Sequence, residues 1–329
     1  MSLLRFKIQA SGSYLPARAV SAKEMEQYLA VDERWILKKT GVENRYFSDD
    51  ENQAVMAAKA INKALETSPI PLEEIDLLIS ASGTPDQPIP HNSALIHKEL
   101  NLPASITPLD VNATCLSFVQ ALKVAASLLE TKTYKNIIIV SSERPSVGLN
   151  YDSPESAALL GDGAVAFIIS QSEDEQGAMF TEFETYSEFV HATEIAAGGT
   201  RLHPNKMDSN ESKKYLFDMN GTKVFKVTSK LFPGFYSKNM SKHDVHISDF
   251  KYIIPHQASM MGLRLMQKKL EFPEEKFYIN LQKYGNLVAG SIPMALHELI
   301  ESKSLKENDK VLLLATAAGL TFGMMGIQL

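Results

Sequence analysis

The chain has 329 residues, 44% of them hydrophobic and 22% charged, with a net charge of -6. That is enough apolar material for a large core and points to two domains or two fused halves, while it excludes a disordered chain and a general attraction for nucleic acid or anionic membranes. The single cysteine, Cys115, excludes an internal disulfide and a Cys-rich zinc site, and with Arg5 and Lys7 inside its apolar start the chain has a poor signal peptide and no apolar run near the roughly 18 residues that span a bilayer, so the cytoplasm is the expected location.

Taken in order, Leu4 to Ala10 is predicted as a strand, ended by GSYLP. Asn52 to Thr67 is predicted as a helix, because Ala54, Val55, Ala58, Ile61 and Leu65 share one broad face. IDLLISAS (Ile75 to Ser82) is a short apolar run stopped by Gly83, Thr84 and Pro85, the pattern of a buried strand. Pro90 suits the first turn of the helix HNSALIHKEL. ITPLDV reads as a strand despite Pro108, Cys115 to Leu129 as a helix, and NIIIVSS as a strand. GDGAVAFIIS is a Gly-rich turn leading into another strand.

The second part repeats this order: a helix over Thr222 to Leu231, a strand FKYIIPHQAS stopping at His256, a helix SIPMALHELI, and strands KVLLLATAAG and LTFGMMGIQL. Alternating strands and helices predict an α/β protein with central, largely parallel sheets. The weak two-fold repeat divides near the polar loop QSEDEQG, into residues 1–173 and 174–329. Thr193 to Ser212 is long and rich in turn residues, as a lid or binding loop is.

Three polar residues stand at element ends. Cys115 opens a helix, where free N–H groups and the dipole lower a thiol pKa and favour the nucleophilic thiolate; a lone cysteine is otherwise a small buried hydrophobe. His256 closes an apolar strand, and strand ends are where α/β sites assemble; imidazole is suited to proton transfer near neutral pH. Asn286, between Gly285 and a helix start, is by itself a turn or cap residue. His91, His97, His243, His246 and His297 sit in polar stretches or on helix faces and read as hydrogen-bonded core or loop histidines, while His191 and His203 stay open.

The order of a Cys at a helix start, then PHQA, then GN…SIPMAL resembles the thiolase-fold condensing enzymes, and most closely the β-ketoacyl-ACP synthase III family. The likeness spans nearly the whole chain, through GSYLP, DERWILKKTGVENR, DVNATCLSF, GDGAVA, MNGTKVFK, PHQA and AAGLTFG. It implies a duplicated fold in five α/β/α/β/α layers and a homodimer. It implies a Cys115–His256–Asn286 set: Cys115 takes an acyl group from acyl-CoA or acyl-ACP. His256 and Asn286 hold the enolate formed when malonyl-ACP or malonyl-CoA loses carbon dioxide. The backbone N–H groups of Cys115 and Ala318 would form the oxyanion hole. An acyl carrier protein is the implied partner, and no metal or other cofactor is implied. A second catalytic Cys, as in thiolases, is absent, and Asn286 stands where the elongating synthases have a second His.

The resemblance also assigns substrate contacts: Trp35 to stack on the CoA base, Lys226 near the tunnel mouth, Ile89 to wall the partner's acyl pocket, and Ser259 in PHQAS at the pantetheine arm; the position of the carrier-docking base is Met261, and nearby Arg264, Lys268 and Lys269 are expected to supply that charge instead. Four positions depart from the family pattern: Ser117 and Ala318 where Gly is usual, Ser259 where Asn is usual, and Met261 where a basic residue is usual; the arginine that would face Trp35 across the base is not evident near Pro154. Two other readings keep the fold: acyl transfer or acyl-CoA condensation without decarboxylation, and a non-catalytic subunit of a heterodimer.

Overall fold

The computed structural model describes residues 3–206 and 209–329. Two five-stranded sheets share one plan. In the first, the spatial order is Lys7–Tyr14, Gly163–Ser170, Asn136–Glu143, Leu77–Ser80, Thr107–Asp110. In the second it is Leu4–Arg5, Gly177–Thr185, Thr321–Gln328, Lys310–Ala317, Tyr252–Pro255. Four strands correspond: Lys7–Tyr14 to Gly177–Thr185, and so on inward, with the same succession of antiparallel, antiparallel and parallel pairings. Each sheet adds one strand of its own, Thr107–Asp110 in parallel and Leu4–Arg5 antiparallel.

The sheets are therefore mixed, not largely parallel as the alternation of elements suggested. Lys310–Ala317 and Thr321–Gln328 are joined by the three-residue turn at Ala318, Gly319 and Leu320, and so short a link can only join antiparallel neighbours. The first predicted strand also divides. Leu4–Arg5 pairs in the second sheet, Phe6 is buried between with its N–H on Gln176 O at 3.2 Å, and Lys7–Tyr14 runs in the first. The chain's start thus belongs to the second half's sheet, while the loop between Ser170 and Gly177 separates the remaining strands.

Helices fill three layers. Ser117–Glu130 and Ser291–Glu301 lie between the sheets, packing Phe118, Leu122, Ile292 and Leu296 against Ile137, Ile139, Leu313 and Met325. Gln53–Thr67 and Asn92–Glu99 cover the outer face of the first sheet. Gly221–Lys242 and Met260–Lys269 cover that of the second. Strands covered on both faces need no polar alternation, and Asn136–Glu143 and Gly163–Ser170 are buried at every residue. Gln53–Thr67 begins at Asn52, whose side chain accepts from Val55 N–H at 2.9 Å. Its Ala-rich face lets Lys7–Tyr14 approach closely: a Cβ on Gly12 would lie 2.4 Å from Ala64 N.

Pro108 fits because Thr107–Asp110 is an edge strand, where a missing N–H costs no ladder bond. The helix expected to stop at Leu231 runs on to Lys242 through Pro233. Proline leaves the carbonyl of Ser229 without its helical donor, and Lys269 Nζ supplies one at 2.7 Å from the neighbouring helix. In the long turn-rich segment, Thr193–Glu194 pairs with Asp218–Met219, and short 3₁₀ turns occupy Pro204–Lys206 and Ser209–Tyr215. Met207 and Asp208 lie outside the described residues. Among the described residues no helix is long and apolar enough to cross a membrane.

Candidate active site

Cys115 sits in a 3₁₀ turn, Thr114–Leu116, that runs straight into the helix Ser117–Glu130. Thr114 has φ 51°, a left-handed conformation that costs a β-branched residue about 1–3 kcal/mol. Neighbouring bonds hold it. Asn112 Oδ1 accepts from Thr114 N–H at 3.0 Å, while Ser117 Oγ accepts from Ala113 N–H at 2.9 Å and donates to Thr114 O at 2.6 Å. The turn projects Cys115 into a cavity. The thiol is nevertheless pushed up to about 12, first by burial among dense protein and then by the Glu143 carboxylate. The backbone N–H groups of Cys115 and Ala318 act on the sulfur in the opposite direction. The lowering expected from the helix start alone is thus outweighed, and the resting group is a thiol.

Glu143 was not singled out in the sequence. It ends the fully buried strand Asn136–Glu143 and is itself inaccessible to solvent. One oxygen accepts from Gly83 N–H at 2.6 Å and Ala289 N–H at 3.3 Å; the other accepts from Thr84 N–H at 3.0 Å and from the Thr84 hydroxyl. One carboxylate therefore ties a first-half loop to the second-half loop that carries Asn286. Burial raises its pKa to about 7 against the pull of these donors. An acidic residue at the end of a strand with the apolar run Ile137 to Val140 was the signal that could have found it.

His256 follows the strand Tyr252–Pro255, its N–H bonded to Leu314 O at 2.7 Å across the parallel ladder. Burial lowers its imidazole to about 4, so the ring is neutral, and Nδ1 is buried without a partner among the described residues. Asn286 is placed by Gly285, whose φ is 70° and whose Cβ, if present, would lie 2.7 Å from Leu159 O. That same carbonyl accepts Asn286 N–H at 2.8 Å. Asn286 Oδ1 accepts from Val288 N–H at 2.8 Å and Ser291 Oγ at 3.4 Å. With the oxygen so occupied, the Nδ2 donors are left for a ligand.

Cys115, His256, Asn286 and Ala318 line one cavity of ≈ 1200 Å³. Lys226 and Ser259 line it too, whereas Trp35, Ile89 and Arg264 do not. Trp35 packs on the cluster around Ile36 and Leu160, with Lys39 Nζ 6.0 Å from its ring centre. Lys39 lines the cavity and was missed, although it lies one helical turn after Trp35. Ile89 stands out from its loop at 85% exposure. Arg264 is exposed, bonded to Gln267 at 3.0 Å and 3.7 Å from Glu274. Among the described residues no group of three or more His, Cys, Asp or Glu could hold a metal ion.

Residues 109–188 match the family description 3-oxoacyl-[acyl-carrier-protein (ACP)] synthase III, and residues 240–329 match its C-terminal part. The β-ketoacyl-[acyl-carrier-protein] synthase III of Clostridium perfringens is 34% identical over 323 residues, 98% of this chain and 99% of that protein. That of Aquifex aeolicus is 30% identical over 96% and 97% of the two chains. The chain belongs to the β-ketoacyl-ACP synthase III family. Its members are condensing enzymes of the acyltransferase class, and this chain is an enzyme of that class. The crystal structure of 3-oxoacyl-[acyl-carrier-protein] synthase III from Aquifex aeolicus superposes with TM-score 0.88 at 28% identity, over 98% of this chain and 100% of that one. A priming β-ketosynthase of the R1128 polyketide pathway shares the fold, with TM-score 0.90 at 23% identity over 100% and 97% of the two chains. The duplicated five-layer arrangement is the thiolase fold of this family.

The positions at which the sequence reading expected a departure have the following surroundings. Ser117, where the resemblance led us to expect Gly, uses its hydroxyl to brace the strained Thr114 turn. Ser259 caps the helix Met260–Lys269, accepting from Gly262 N–H at 3.2 Å, and so its hydroxyl already has a structural role. Met261 presents an exposed thioether on the cavity wall.

Proposed function

We propose that this enzyme loads an acyl group on Cys115 and condenses it with a malonyl thioester, with loss of carbon dioxide. The observation that carries the reading is the meeting of Cys115, His256 and Asn286 on one cavity wall, with the N–H groups of Cys115 and Ala318 at the sulfur. In the loading step a bond forms between Cys115 Sγ and the acyl carbon, and the thioester C–S bond breaks. The thiol proton leaves with the departing thiol. Because Cys115 is protonated at rest and His256 is neutral, His256 is the group assigned to carry that proton.

Decarboxylation of the malonyl thioester then gives an enolate. Its oxygen takes hydrogen bonds from His256 and from Asn286 Nδ2, and its carbon attacks the acyl–Cys115 carbonyl. The N–H groups of Cys115 and Ala318 hold the oxyanion formed there. Collapse releases the β-ketoacyl thioester and Cys115 thiolate, which is reprotonated. Lys39 and Lys226 place positive charge at the cavity for the phosphates of CoA or of a carrier-bound arm, with Trp35 outside for a nucleotide base. Arg264 and Ser259 remain assigned to carrier docking and arm contact.

A homodimer is the proposed assembly. The outer edge of Thr107–Asp110 has no strand neighbour among the described residues, and Ile89 and Leu109 are exposed in the same half. The proposed halves are residues 1–173 and 174–329. A cytoplasmic setting suits a catalytic thiol that must stay reduced. The experiment is carbon dioxide release and β-ketoacyl product formation from acyl-CoA with malonyl-ACP, malonyl-CoA or no malonyl donor. Product only with a malonyl donor supports the reading; product without one overturns decarboxylation.

A further inference from the structure

Arg45, in the short strand Asn44–Phe47, is fully buried, and its guanidinium meets no carboxylate among the described residues. Nη1 donates to Val20 O at 3.4 Å, and Nη2 donates to Val42 O at 3.2 Å and to Ala158 O at 3.0 Å; Nε is buried without a partner among the described residues. Burial lowers its pKa only to about 10, so the group is a cation near neutral pH. Taking an unpaired ion out of water is unfavourable, and a neutral side chain would fill this place without that loss. The acceptor at Ala158 shows what the cation holds. It opens a segment that grips Asn286 by its backbone: Leu159 O accepts Asn286 N–H at 2.8 Å, Gly161 N–H donates to Asn286 O at 3.1 Å, and Leu160 forms a parallel bridge with Asn286. The far end of the segment returns to the strand of Arg45, where Asp162 N–H donates to Tyr46 O at 2.8 Å. On the other side of Asn286, Glu43 N–H donates to Gln282 O at 3.0 Å. The junction has no slack, since a Cβ on Gly161 would lie 2.4 Å from Tyr284 O and 3.2 Å from Arg45 Cβ. Leu159, Leu160 and Asn286 line the cavity, and Arg45 does not.

We propose that Arg45 is a positioning residue for the decarboxylation step: its guanidinium fixes the segment from Ala158 to Asp162, and through it the backbone of Asn286, so that Nδ2 is aimed at the enolate oxygen. The inference rests on the reading of Asn286 as an enolate donor above. Hydrogen bonds from a charged donor are stronger than neutral ones, and the planar fork reaches carbonyls of three separate segments at once, which the point charge of an ammonium does not reproduce. Cys115 is held by its own turn, through Asn112 and Ser117, with no bond from Arg45. Acyl loading is therefore independent of Arg45, while the enolate step is not.

The test follows the two half-reactions separately in Arg45→Lys, which keeps the charge but not the fork, and in Arg45→Met, which keeps neither. Intact mass reads adduct formation with acetyl-, butyryl- and octanoyl-CoA, and carbon dioxide release reads turnover of malonyl-ACP. Adduct formation should stay within about twofold of the wild-type rate, with the loss confined to kcat for malonyl-ACP and KM little changed. Decarboxylation should fall about 10²-fold, the effect of misplacing a catalytic group by ~1 Å. Arg45→Lys carries the test if Arg45→Met gives no folded protein. Asn286→Ala supplies the readout that a purely structural role would not move. In that background the donor is already gone, so Arg45→Lys should cause no further loss of decarboxylation. Equal loss of both half-reactions, an unchanged decarboxylation rate, or a further loss in the Asn286→Ala background overturns the inference and leaves Asn286 as the enolate donor. Decarboxylation by Asn286→Ala at the wild-type rate overturns the reading of Asn286 itself, and this inference with it.

Discussion

At the scale of single residues, the chemistry turns on a thiol held up and an imidazole held neutral. Because the chain has only one cysteine, alkylation by iodoacetamide reports Cys115 alone. It should be slow at neutral pH and accelerate toward a midpoint well above 8, the reverse of a helix-activated thiolate. Glu143→Gln removes the carboxylate that opposes the thiolate and should move that midpoint down; an unmoved midpoint would show that Glu143 does not act on the sulfur. The same variant has a stability signature. Glu143 is raised from 4.5 to about 7, so its contribution is full below about 4.5 and is lost as pH rises through 7. His256 is lowered from 6.5 to about 4, so its contribution is full above 6.5 and is lost as pH falls through 4. The two slopes oppose each other over the same window. Removing Glu143 should expose the His256 loss, on the order of 3 kcal/mol between pH 6.5 and 4, read by urea unfolding at a series of pH values. Asn286→Asp keeps the acceptor for Val288 N–H but has no amide donor. It should cut malonyl decarboxylation about 10²–10³-fold and leave an acyl adduct on Cys115, which single-turnover assays separate.

At the scale of elements, the sequence was most legible where burial and periodicity agree. Asn136–Glu143 and Gln53–Thr67 lie where their apolar patterns put them, because each is fixed by its own residues and caps. Cys115, His256 and Asn286 were legible as residues at element ends, since each follows a change from apolar to polar character. Less legible were features that depend on distant chain. The division of Leu4 to Ala10 between two sheets is decided by Gln176 and Gly177. The persistence of a helix through Pro233 depends on Lys269, far along the sequence. The raised thiol depends first on burial in the assembled site and then on Glu143, and no local pattern connects either to Cys115. The edge strand gives the element-scale prediction. If Thr107–Asp110 joins a second copy, Leu109→Asp should convert a dimer to monomer in analytical ultracentrifugation. A wild-type monomer, or a variant that stays dimeric, would place the assembly elsewhere.

At the scale of the whole molecule, the duplication explains why the site lies between halves. Each half ends its strands toward the same space, the first contributing the thiol and the second the imidazole and carboxamide. Glu143 joins their loops in a single buried carboxylate. The two helices between the sheets carry the nucleophile turn and follow the Asn286 loop, so packing of the shared core sets the alignment of all three groups. The central claim is that an acyl group passes through Cys115 to a decarboxylating malonyl thioester. It is tested most directly by following the intact mass of the protein through both half-reactions. Incubation with acyl-CoA should add one acyl mass to the wild-type protein and none to Cys115→Ala. Addition of malonyl-ACP should then return the mass to its starting value, with one carbon dioxide released per chain. An adduct that survives in Cys115→Ala, or one that malonyl-ACP leaves in place, would contradict the account.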